Sequence, residues 1–411
     1  MGFPNGFLWG TATAAHQVEG NNVNSDFWVL ENTAGTIFAE PSGDACDHYR
    51  LYRQDIALLA ELGLTSYRFS LEWARVEPEP GRYSRAALAH YRDVLDACHE
   101  HGLTPMVTLH HFTSPRWLMR LGGWSAPGTP ERFAAYCRTV MAELGPLIPY
   151  VCTINEANIG PVVRQVAGDL FDLAPAGLGA WMAAAAHDLG TTPDRVKPFL
   201  FAYGQAANEV IMRAHTAARA EIRKVSPDTR IGLTLALQDY HPEPGGQERA
   251  RQMWRETFED FLPALDGDDF LGVQSYSRMR VGPDGLLPVP DGAEVTQMGY
   301  EFHPRSLENV IRDAAVAGLP VIVTENGIAT ADDTRRTEYV RQALEGVRRC
   351  LADGIDVGGY YYWSALDNFE WMLGYAPTFG LIAVDRDTQT RTVKDSARHL
   401  GALARTNGEA L

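Results

Sequence analysis

Eight short apolar runs recur along the chain, each followed by a longer segment with apolar residues at helical spacing. In chain order the runs are FLWGTAT near Phe7, Ser66–Trp73, Thr104–His111, Tyr150–Glu156, Arg230–Leu237, Asp269–Tyr276, Pro320–Gly327 and Gly358–Leu366. Most of them are near-continuous rather than alternating, which is typical of strands buried on both faces of a parallel sheet. The pattern therefore predicts eight buried strands.

The segments between the runs have the spacing of amphipathic helices. HYRLYRQDIALLAELG, AALAHYRDVLDACHEHG and SLENVIRDAAVAGLP each reach a glycine, the usual C-terminal stop of a helix. Eight strand–helix alternations predict an α/β fold of the (β/α)8 TIM-barrel type, as one domain over residues 1–411 with its core at about 7–400. A doubly wound open sheet is the runner-up, but the G-x-G-x-x-G turn that would favour it after the first strand is absent.

Two long stretches show neither pattern and are predicted to be irregular. One runs from Asn158 to about Pro198, after the fourth apolar run, and the other from Val281 to Tyr300, after the sixth. In a barrel both lie on the C-terminal face, where the active site is built. We therefore expect them to shape the entrance to a site.

Composition narrows the class of protein. The net charge is −16, from 36 Lys and Arg against 52 Asp and Glu, which disfavours nucleic acid and an anionic membrane surface as partners. No run is apolar for long enough to span a bilayer, and the first basic residue, Arg50, comes too late for an export signal. Five cysteines without C-x-x-C spacing argue against a disulfide framework or a zinc knuckle. These observations predict a soluble, cytoplasmic protein.

Two carboxylates end apolar runs in nearly identical settings. Glu156 closes VCTINE and Glu325 closes VIVTEN, which places each at the C-terminal mouth of a barrel strand. A buried carboxylate without a partner is costly, so each has either a structural cation partner or a chemical role. One such Glu alone fits both interpretations. Two at equivalent strand ends favour an acid/base and nucleophile pair for cleavage of a glycosidic bond.

The motifs around these two residues resemble those of family 1 glycoside hydrolases, the β-glucosidase family. TINEAN resembles the acid/base motif T-x-N-E-P, and VTENG matches the nucleophile motif [IV]-T-E-N-G. QVEG, FSLEWAR, LHHF and YYYWSALDNFEW resemble further family segments in the same order, from about Phe7 to about Leu400. The resemblance implies a retaining exo-β-glycosidase that uses two carboxylates in a double displacement. Its expected substrates are β-D-glucosides, with β-D-galactosides and β-D-fucosides as related ones, and no metal or cofactor is implied.

The resemblance also implies roles for single positions. Glu156 is expected to be the general acid/base and Glu325 the nucleophile, with Arg68 and Tyr276 supporting the nucleophile. The expected sugar-binding residues are Gln17, His111, Asn155, Tyr276, Trp363, Glu370, Trp371 and Phe379. A carboxylate at Glu370 would repel a 6-phosphate, so a neutral sugar is expected. His110 and His111 are neighbours on one strand and point to opposite faces, so we do not expect them to share a metal ion.

The chain departs from the family pattern at several positions. Ala157 replaces the usual Pro after the acid/base, so we expect Glu156 to be held less rigidly. Gln274 stands where Asn is common, and Thr113 and Ser114 replace the usual Asp-Leu. Tyr300 takes a position usually held by Trp, on the wall that faces the leaving group.

Two alternatives stay open at this point. A transglycosidase would use the same covalent intermediate but pass the sugar to an alcohol or sugar acceptor. A sugar-binding relative with weakened catalysis would retain the fold and the pocket, and Ala157 and Gln274 keep that alternative open.

Overall fold

Eight parallel strands close into a barrel in the computed structural model, which describes residues 2–167 and 176–411. The strands of the described chain are β1 Leu8–Ala12, β2 Ser66–Ser70, β3 Thr104–Thr108, β4 Tyr150–Cys152, β5 Arg230–Ala236, β6 Asp239–Pro242, β7 Phe270–Gln274, β8 Arg278–Gly282, β9 Gly285–Leu286, β10 Val321–Asn326, β11 Val357–Trp363, β12 Ile382–Val384 and β13 Arg391–Val393. Around the barrel they follow the order β1, β2, β3, β4, β5, β7, β10 and β11, and β11 pairs with β1. The predicted (β/α)8 class is confirmed, and an open doubly wound sheet is excluded because the sheet closes.

The eight predicted runs coincide with the eight barrel strands, but several strands end earlier than their runs. β2 ends at Ser70, and Trp73–Val76 forms a short helix. β4 stops at Cys152, so Glu156 lies in the loop that follows it. The apolar character continues past the last ladder hydrogen bond because these loops are buried as well.

Helices surround the barrel. They are α1 Ala15–Val18, α2 Asp26–Asn32, α3 His48–Glu61, α4 Trp73–Val76, α5 Arg85–Glu100, α6 Arg116–Met119, α7 Thr129–Leu144, α8 Ile159–Ala167, α9 Ala176–Leu189, α10 Gln205–Val225, α11 Gln247–Thr257, α12 Ser306–Ala314, α13 Asp333–Ala352 and α14 Asp395–Arg405. The chain leaves α3 and α5 through Gly63 and Gly102, whose φ values of 93° and 70° lie in the left-handed region that favours glycine. Each of these two helices thus ends where the sequence predicts.

The two stretches predicted to be irregular hold regular structure. Helices α8 and α9 occupy much of the first stretch, and its residues 168–175 lie outside the described part of the chain. α9 is rich in Ala and Gly and has no polar face, so its sequence shows no helical period. In the second stretch, β9 pairs with β8, which also pairs with β6 in a three-stranded sheet.

The barrel interior forms an apolar cluster of its own. Alternate residues of the strands meet there, among them Leu8, Met106, Phe270, Ile322 and Tyr361. A larger cluster fills the space between the strands and the surrounding helices. Within residues 2–167 and 176–411, no helix combines the length and the apolar character that crossing a membrane requires. The C-terminal ends of the strands carry the polar side chains described next.

Candidate active site

Glu325 lies at the C-terminal end of β10, buried and with both carboxylate oxygens hydrogen-bonded. Oε1 accepts from Nη1 of Arg68 at 2.6 Å and from Nε2 of Gln274 at 2.9 Å. Oε2 accepts from the hydroxyl of Tyr276 at 2.6 Å. The strand register pairs Glu325 with Gln274 of β7, and it shifts between Val323 and Glu325. Such a bulge re-aims a side chain, and here it accompanies the turn of the carboxylate toward its three donors.

The surroundings of Glu325 stabilise its charged form. Burial raises the pKa of Glu325, and the Arg68 guanidinium and the Tyr276 hydroxyl oppose that rise. Arg68 is itself fully buried, so the two opposite charges face each other away from water. Burial and the neighbouring carboxylates hold the pKa of Tyr276 well above its ordinary value, so the phenol remains a donor. Glu325 is therefore the member of the pair suited to carry negative charge.

Glu156 has a different environment. Burial raises its pKa well above the ordinary value, the charge of Glu325 adds to that rise, and Arg68 opposes it. Among the described residues its carboxyl group has no hydrogen-bond partner. Its backbone φ of 43° lies in the left-handed region, which a non-glycine residue adopts at a cost. Glu156 is thus the member of the pair suited to hold a proton.

The backbone around Glu156 is fixed to β5 by Thr234. The amide of Glu156 donates to Oγ1 of Thr234 at 3.0 Å, and the amide of Ala157 donates to the carbonyl of Thr234, also at 3.0 Å. Proline has no amide hydrogen, so this second bond requires a residue such as Ala157. The expectation of a loosely held Glu156 therefore finds no support in its hydrogen bonds. The sequence analysis did not predict a role for Thr234. The one feature that could have indicated it is a polar side chain inside an apolar run.

Asn155 is oriented by donors on two other strands. Its Oδ1 accepts from Nη2 of Arg68 at 2.5 Å and from Nε2 of Gln274 at 2.8 Å. Arginine has only donors, so the oxygen of Asn155 must face it and Nδ2 points elsewhere. Gln274 therefore joins Asn155 to the nucleophile candidate Glu325.

Four buried polar atoms at the candidate sugar site have no hydrogen-bond partner among the described residues. They are Gln17 Oε1, His111 Nδ1, Asn155 Nδ2 and Gln274 Oε1. Buried polar atoms almost always have partners, so each such atom needs an explanation. Two acceptors, an amide donor and an imidazole nitrogen match the hydroxyl groups of a sugar.

Gln17 and Trp363 hold Glu370 in place. Nε2 of Gln17 and Nε1 of Trp363 both donate to its carboxyl group at 3.4 Å. Nε2 of Gln17 also donates to the carbonyl of Phe369 at 2.6 Å, which leaves Oε1 of Gln17 for a ligand. The ring of His111 stacks on Trp363 with centroids 5.7 Å apart. Four of the predicted sugar-binding residues are thus in one connected group.

Aromatic rings form the walls. Phe379 meets Tyr276 edge-on at 5.9 Å, and Trp371 packs on His16 and Phe27 with centroid distances of 5.8 and 5.1 Å. Tyr300 is half-buried; burial raises its pKa to about 12, and the charges of Glu156 and Glu370 add to that rise. Tyr300 is therefore close enough to the candidate acid, Glu156, to feel its charge.

His110 and His111 point to opposite sides of the chain. His110 contacts Oγ of Ser114 through Nε2 at 3.0 Å and packs on Trp124, away from Trp363. Thr113 donates to Glu72 at 2.6 Å. The two residues that replace the family's Asp-Leu thus hold neighbouring side chains in place, and the two histidines face different surroundings.

Replacing Glu370 is expected to change the pH dependence of stability. Burial raises the pKa of Glu370 from 4.5 to about 8, so the folded protein holds this proton more tightly than the unfolded chain. The stability that this group contributes is full below pH 4.5 and is lost as the pH rises through 8. Between about pH 5 and 9, the unfolding midpoint of Glu370→Gln should therefore fall less than that of the wild type. Thermal unfolding across this range measures the difference.

Glu61→Gln, at an exposed position, is the control for that series. Parallel curves for the wild type and Glu370→Gln would show that Glu370 does not hold its proton at neutral pH.

Comparison with known proteins agrees with this geometry. The chain matches the family model described as glycosyl hydrolase family 1 over residues 1–263 and 290–409. A crystal structure of a beta-glycosidase is 57% identical, with a TM-score of 0.95, over 100% of this chain and 98% of that one. A beta-glucosidase from Thermotoga maritima in complex with glucoimidazole is 28% identical, with a TM-score of 0.84, over 99% of both chains. A bifunctional beta-D-glucosidase/beta-D-fucosidase from Bifidobacterium breve is 31% identical over 96% of each chain.

The family model passes over residues 264–289, the stretch that carries Gln274 and Tyr276. It includes the regions of both candidate catalytic carboxylates, Glu156 and Glu325. The chain belongs to glycosyl hydrolase family 1 and is a glycoside hydrolase.

Proposed function

We propose that the protein is a retaining exo-β-glycosidase that hydrolyses β-D-glucosides, with β-D-galactosides and β-D-fucosides as related substrates. The observation that carries this proposal is the unequal environment of the two glutamates. Glu325 accepts hydrogen bonds from a buried cation, an amide and a phenol, whereas the carboxyl group of Glu156 has no such partner among the described residues. Pairs of carboxyl groups whose environments separate their pKa values identify the acid and the nucleophile of a glycosidase.

The two carboxyl groups divide the reaction into two steps. Oε1 of Glu325 accepts from both Arg68 and Gln274, whereas Oε2 accepts from Tyr276 alone. Oε2 therefore attacks the anomeric carbon while Glu156 gives its proton to the leaving oxygen. The bond to the leaving group breaks as the bond to Oε2 forms, which gives a covalent glycosyl-enzyme. Glu156, now ionised, then removes a proton from water, and the water oxygen displaces Glu325. Two inversions return the sugar with its original configuration.

The buried polar atoms that have no hydrogen-bond partner in the described part of the chain support a sugar as the ligand. Asn155 Nδ2 donates to a hydroxyl near the nucleophile, and Gln17 Oε1 accepts from a hydroxyl at the far end of the ring. Gln17 and Trp363 both donate to Glu370 at that end, which supports binding of a single terminal sugar. The names of the relatives from Thermotoga maritima and Bifidobacterium breve support glucosides and fucosides as substrates.

The proposal is tested by initial rates on p-nitrophenyl α- and β-glycosides of glucose, galactose and fucose. We expect hydrolysis of the β-glucoside, little or none of the α-anomers, and a β-configured sugar as the first product by NMR. A first product of α configuration would overturn the retaining mechanism. No turnover on any β-glycoside would favour the sugar-binding alternative. Glycosylated alcohol as the main product when an alcohol is present would favour the transglycosidase.

Gln274→Met is expected to lower kcat by about 10- to 150-fold with little change in KM. Methionine has a similar volume but donates no hydrogen bond, so Glu325 and Asn155 each lose one donor while both keep Arg68. Losing a hydrogen bond to a charged group costs about 1.5–3 kcal/mol, which corresponds to that fold-change. Steady-state kinetics on the β-glucoside measure it.

Gln342→Met, on α13 and bonded to Glu338, is the matched control and should retain the wild-type rate. If Gln274→Met also retained the wild-type kcat, Gln274 would have no part in positioning the nucleophile.

A further inference from the structure

Asp239, His241 and His303 form a cluster outside the candidate active site. One nitrogen or oxygen atom from each of the three lies within 4.8 Å of the others. Asp239 and His241 are two residues apart on β6 and share one face of the strand, and His303 precedes α12. Nε2 of His241 lies 2.8 Å from Oδ2 of Asp239. Two imidazoles and a carboxylate in such proximity are a common ligand set for metal ions.

The cluster has unused bonding capacity. Nε2 of His303 is buried and has no hydrogen-bond partner among the described residues. Oδ2 of Asp239 accepts from Asn309 at 2.9 Å, which orients the carboxylate as outer partners of metal ligands do. A cavity of about 350 Å³ borders Asp239, His241 and Asn309 and has room for waters to complete a coordination sphere. These features point to a ligand rather than to a closed hydrogen-bond network.

The charges around the cluster are nearly balanced. Arg278 lies 3.4 Å from Nδ1 of His241, but Glu301 binds its guanidinium through two bonds of 2.7 and 2.9 Å. Arg312, at the rim of the cavity, is paired with Glu308 and Asp353. Asp313 at the same rim adds negative charge, and burial together with Asp239 raises its pKa. Arg280, in register with His241, is paired with Glu243 at 2.9 Å. All three of these arginines are thus paired with acids, and Asp239 is left to attract a cation.

We propose that Asp239, His241 and His303 bind one divalent transition-metal ion of the zinc type. Imidazole nitrogens suit Zn²⁺, Co²⁺ and Ni²⁺, whereas Mg²⁺ and Ca²⁺ prefer all-oxygen sites. With bonds of about 2.0–2.2 Å, tetrahedral ligand atoms are spaced by roughly 3.3–3.6 Å, which small side-chain rotations reach from the observed spacing. The ion takes the place of the proton between His241 and Asp239. The proton of His241 then resides on Nδ1, and the contact from Arg278 is released.

Such a site would fix the segment that leads from Tyr300 to α12. His303 is three residues beyond Tyr300, and Glu301 of the same segment holds Arg278 of β8. The ion would bind this segment to β6 and thereby stabilise one side of the active-site entrance. This role lies outside the hydrolytic step and does not depend on the proposed substrate.

The test uses the full chain without a histidine tag, after treatment with a chelator. Titration calorimetry at pH 7.5 should show one ion bound per chain with ZnCl2 and no comparable signal with MgCl2. Thermal unfolding should show a midpoint raised by a few degrees when ZnCl2 is present. His303→Ala and His241→Ala should each weaken Zn²⁺ binding at least tenfold. His399→Ala, which removes another half-buried imidazole whose Nε2 has no partner among the described residues, should bind Zn²⁺ as the wild type does.

A measurement without variants guards against misfolding of the mutants. Co²⁺ added to the wild type should give visible absorption bands of a tetrahedral or five-coordinate site, and Zn²⁺ should displace them. The proposal is overturned if the wild type binds no Zn²⁺, or if folded His303→Ala binds it with unchanged affinity.

Discussion

Replacing Glu325 by Ala should lower kcat on β-glucosides by on the order of 10⁶-fold, the scale of loss when a covalent nucleophile is removed. In the proposed mechanism Glu325 supplies the oxygen that forms the intermediate, and no other carboxylate accepts hydrogen bonds from Arg68, Gln274 and Tyr276 in the described structure. The measurement is single-turnover and steady-state kinetics on an aryl β-glucoside. A small anion such as azide should restore part of the rate by occupying the vacated space. The product of that rescue should be the α-configured glycosyl azide, because only one displacement takes place.

The loss must be separated from unfolding. Glu325→Ala leaves Arg68 buried without its partner, and breaking a buried ion pair costs about 3–5 kcal/mol. Glu325→Gln is the matched variant, because in a side chain of the same size its amide oxygen still accepts from Arg68 and Gln274, while its NH2 group faces the Tyr276 hydroxyl, which can accept. Both variants should be checked by circular dichroism and thermal unfolding. Wild-type rates in a folded Glu325→Gln would reject Glu325 as the nucleophile.

Replacing Glu156 by Gln should lower kcat/KM by about 10²–10⁴-fold on substrates with poor leaving groups, since general acid catalysis contributes that much. The loss should be smallest for dinitrophenyl glucosides, whose leaving groups depart without a proton. Rates on a series of aryl glucosides with different phenol pKa values measure this dependence. Equal losses along the whole series would exclude Glu156 as the acid.

The pH profile gives a second readout of the same residue. The proposed mechanism needs a protonated Glu156 and an ionised Glu325. Activity therefore falls on the alkaline side as Glu156 loses its proton, and on the acid side as Glu325 gains one. Burial and the charge of Glu325 raise the pKa of Glu156, so the alkaline limb lies well above the ordinary range of a carboxyl group. In Glu156→Gln this limb should vanish while the acid limb stays.

The barrel could be predicted because its strands are buried on both faces and are therefore apolar throughout. The ends of the strands could not, since the loops that follow β2 and β4 are buried too and continue the apolar pattern. Helix α9 escaped prediction for a related reason, because a helix without a polar face has no period to detect. Hydrophobic periodicity detects a difference in polarity between two faces of a helix or strand, so it fails where both faces are apolar.

The candidate carboxylates could be found from their motifs, but the residues that position them through hydrogen bonds could not. Thr234 bonds the backbone at Glu156 from a distance of 78 residues, and Gln274 reaches Asn155 from 119 residues away. The hydrogen bond from the Ala157 amide to the Thr234 carbonyl could not be predicted either. Only the arrangement of the strands shows that this bond holds the backbone where the family usually has a proline. Likewise, His303 is far along the chain from Asp239 and His241, and no spacing motif joins the three residues.

The backbone at Glu156 has a consequence for how this enzyme evolves. A residue held at a φ of 43° carries strain of about 1–3 kcal/mol, and a buried carboxyl group adds a cost of its own. Glycine at this position would remove both the backbone strain and the cost of the buried carboxyl group. Retaining Glu156 therefore lowers the free energy of unfolding. Selection for stability alone would therefore remove Glu156 early. In a descendant that no longer needed hydrolysis, we expect Glu156 to be substituted, with a gain in stability and with the pocket retained.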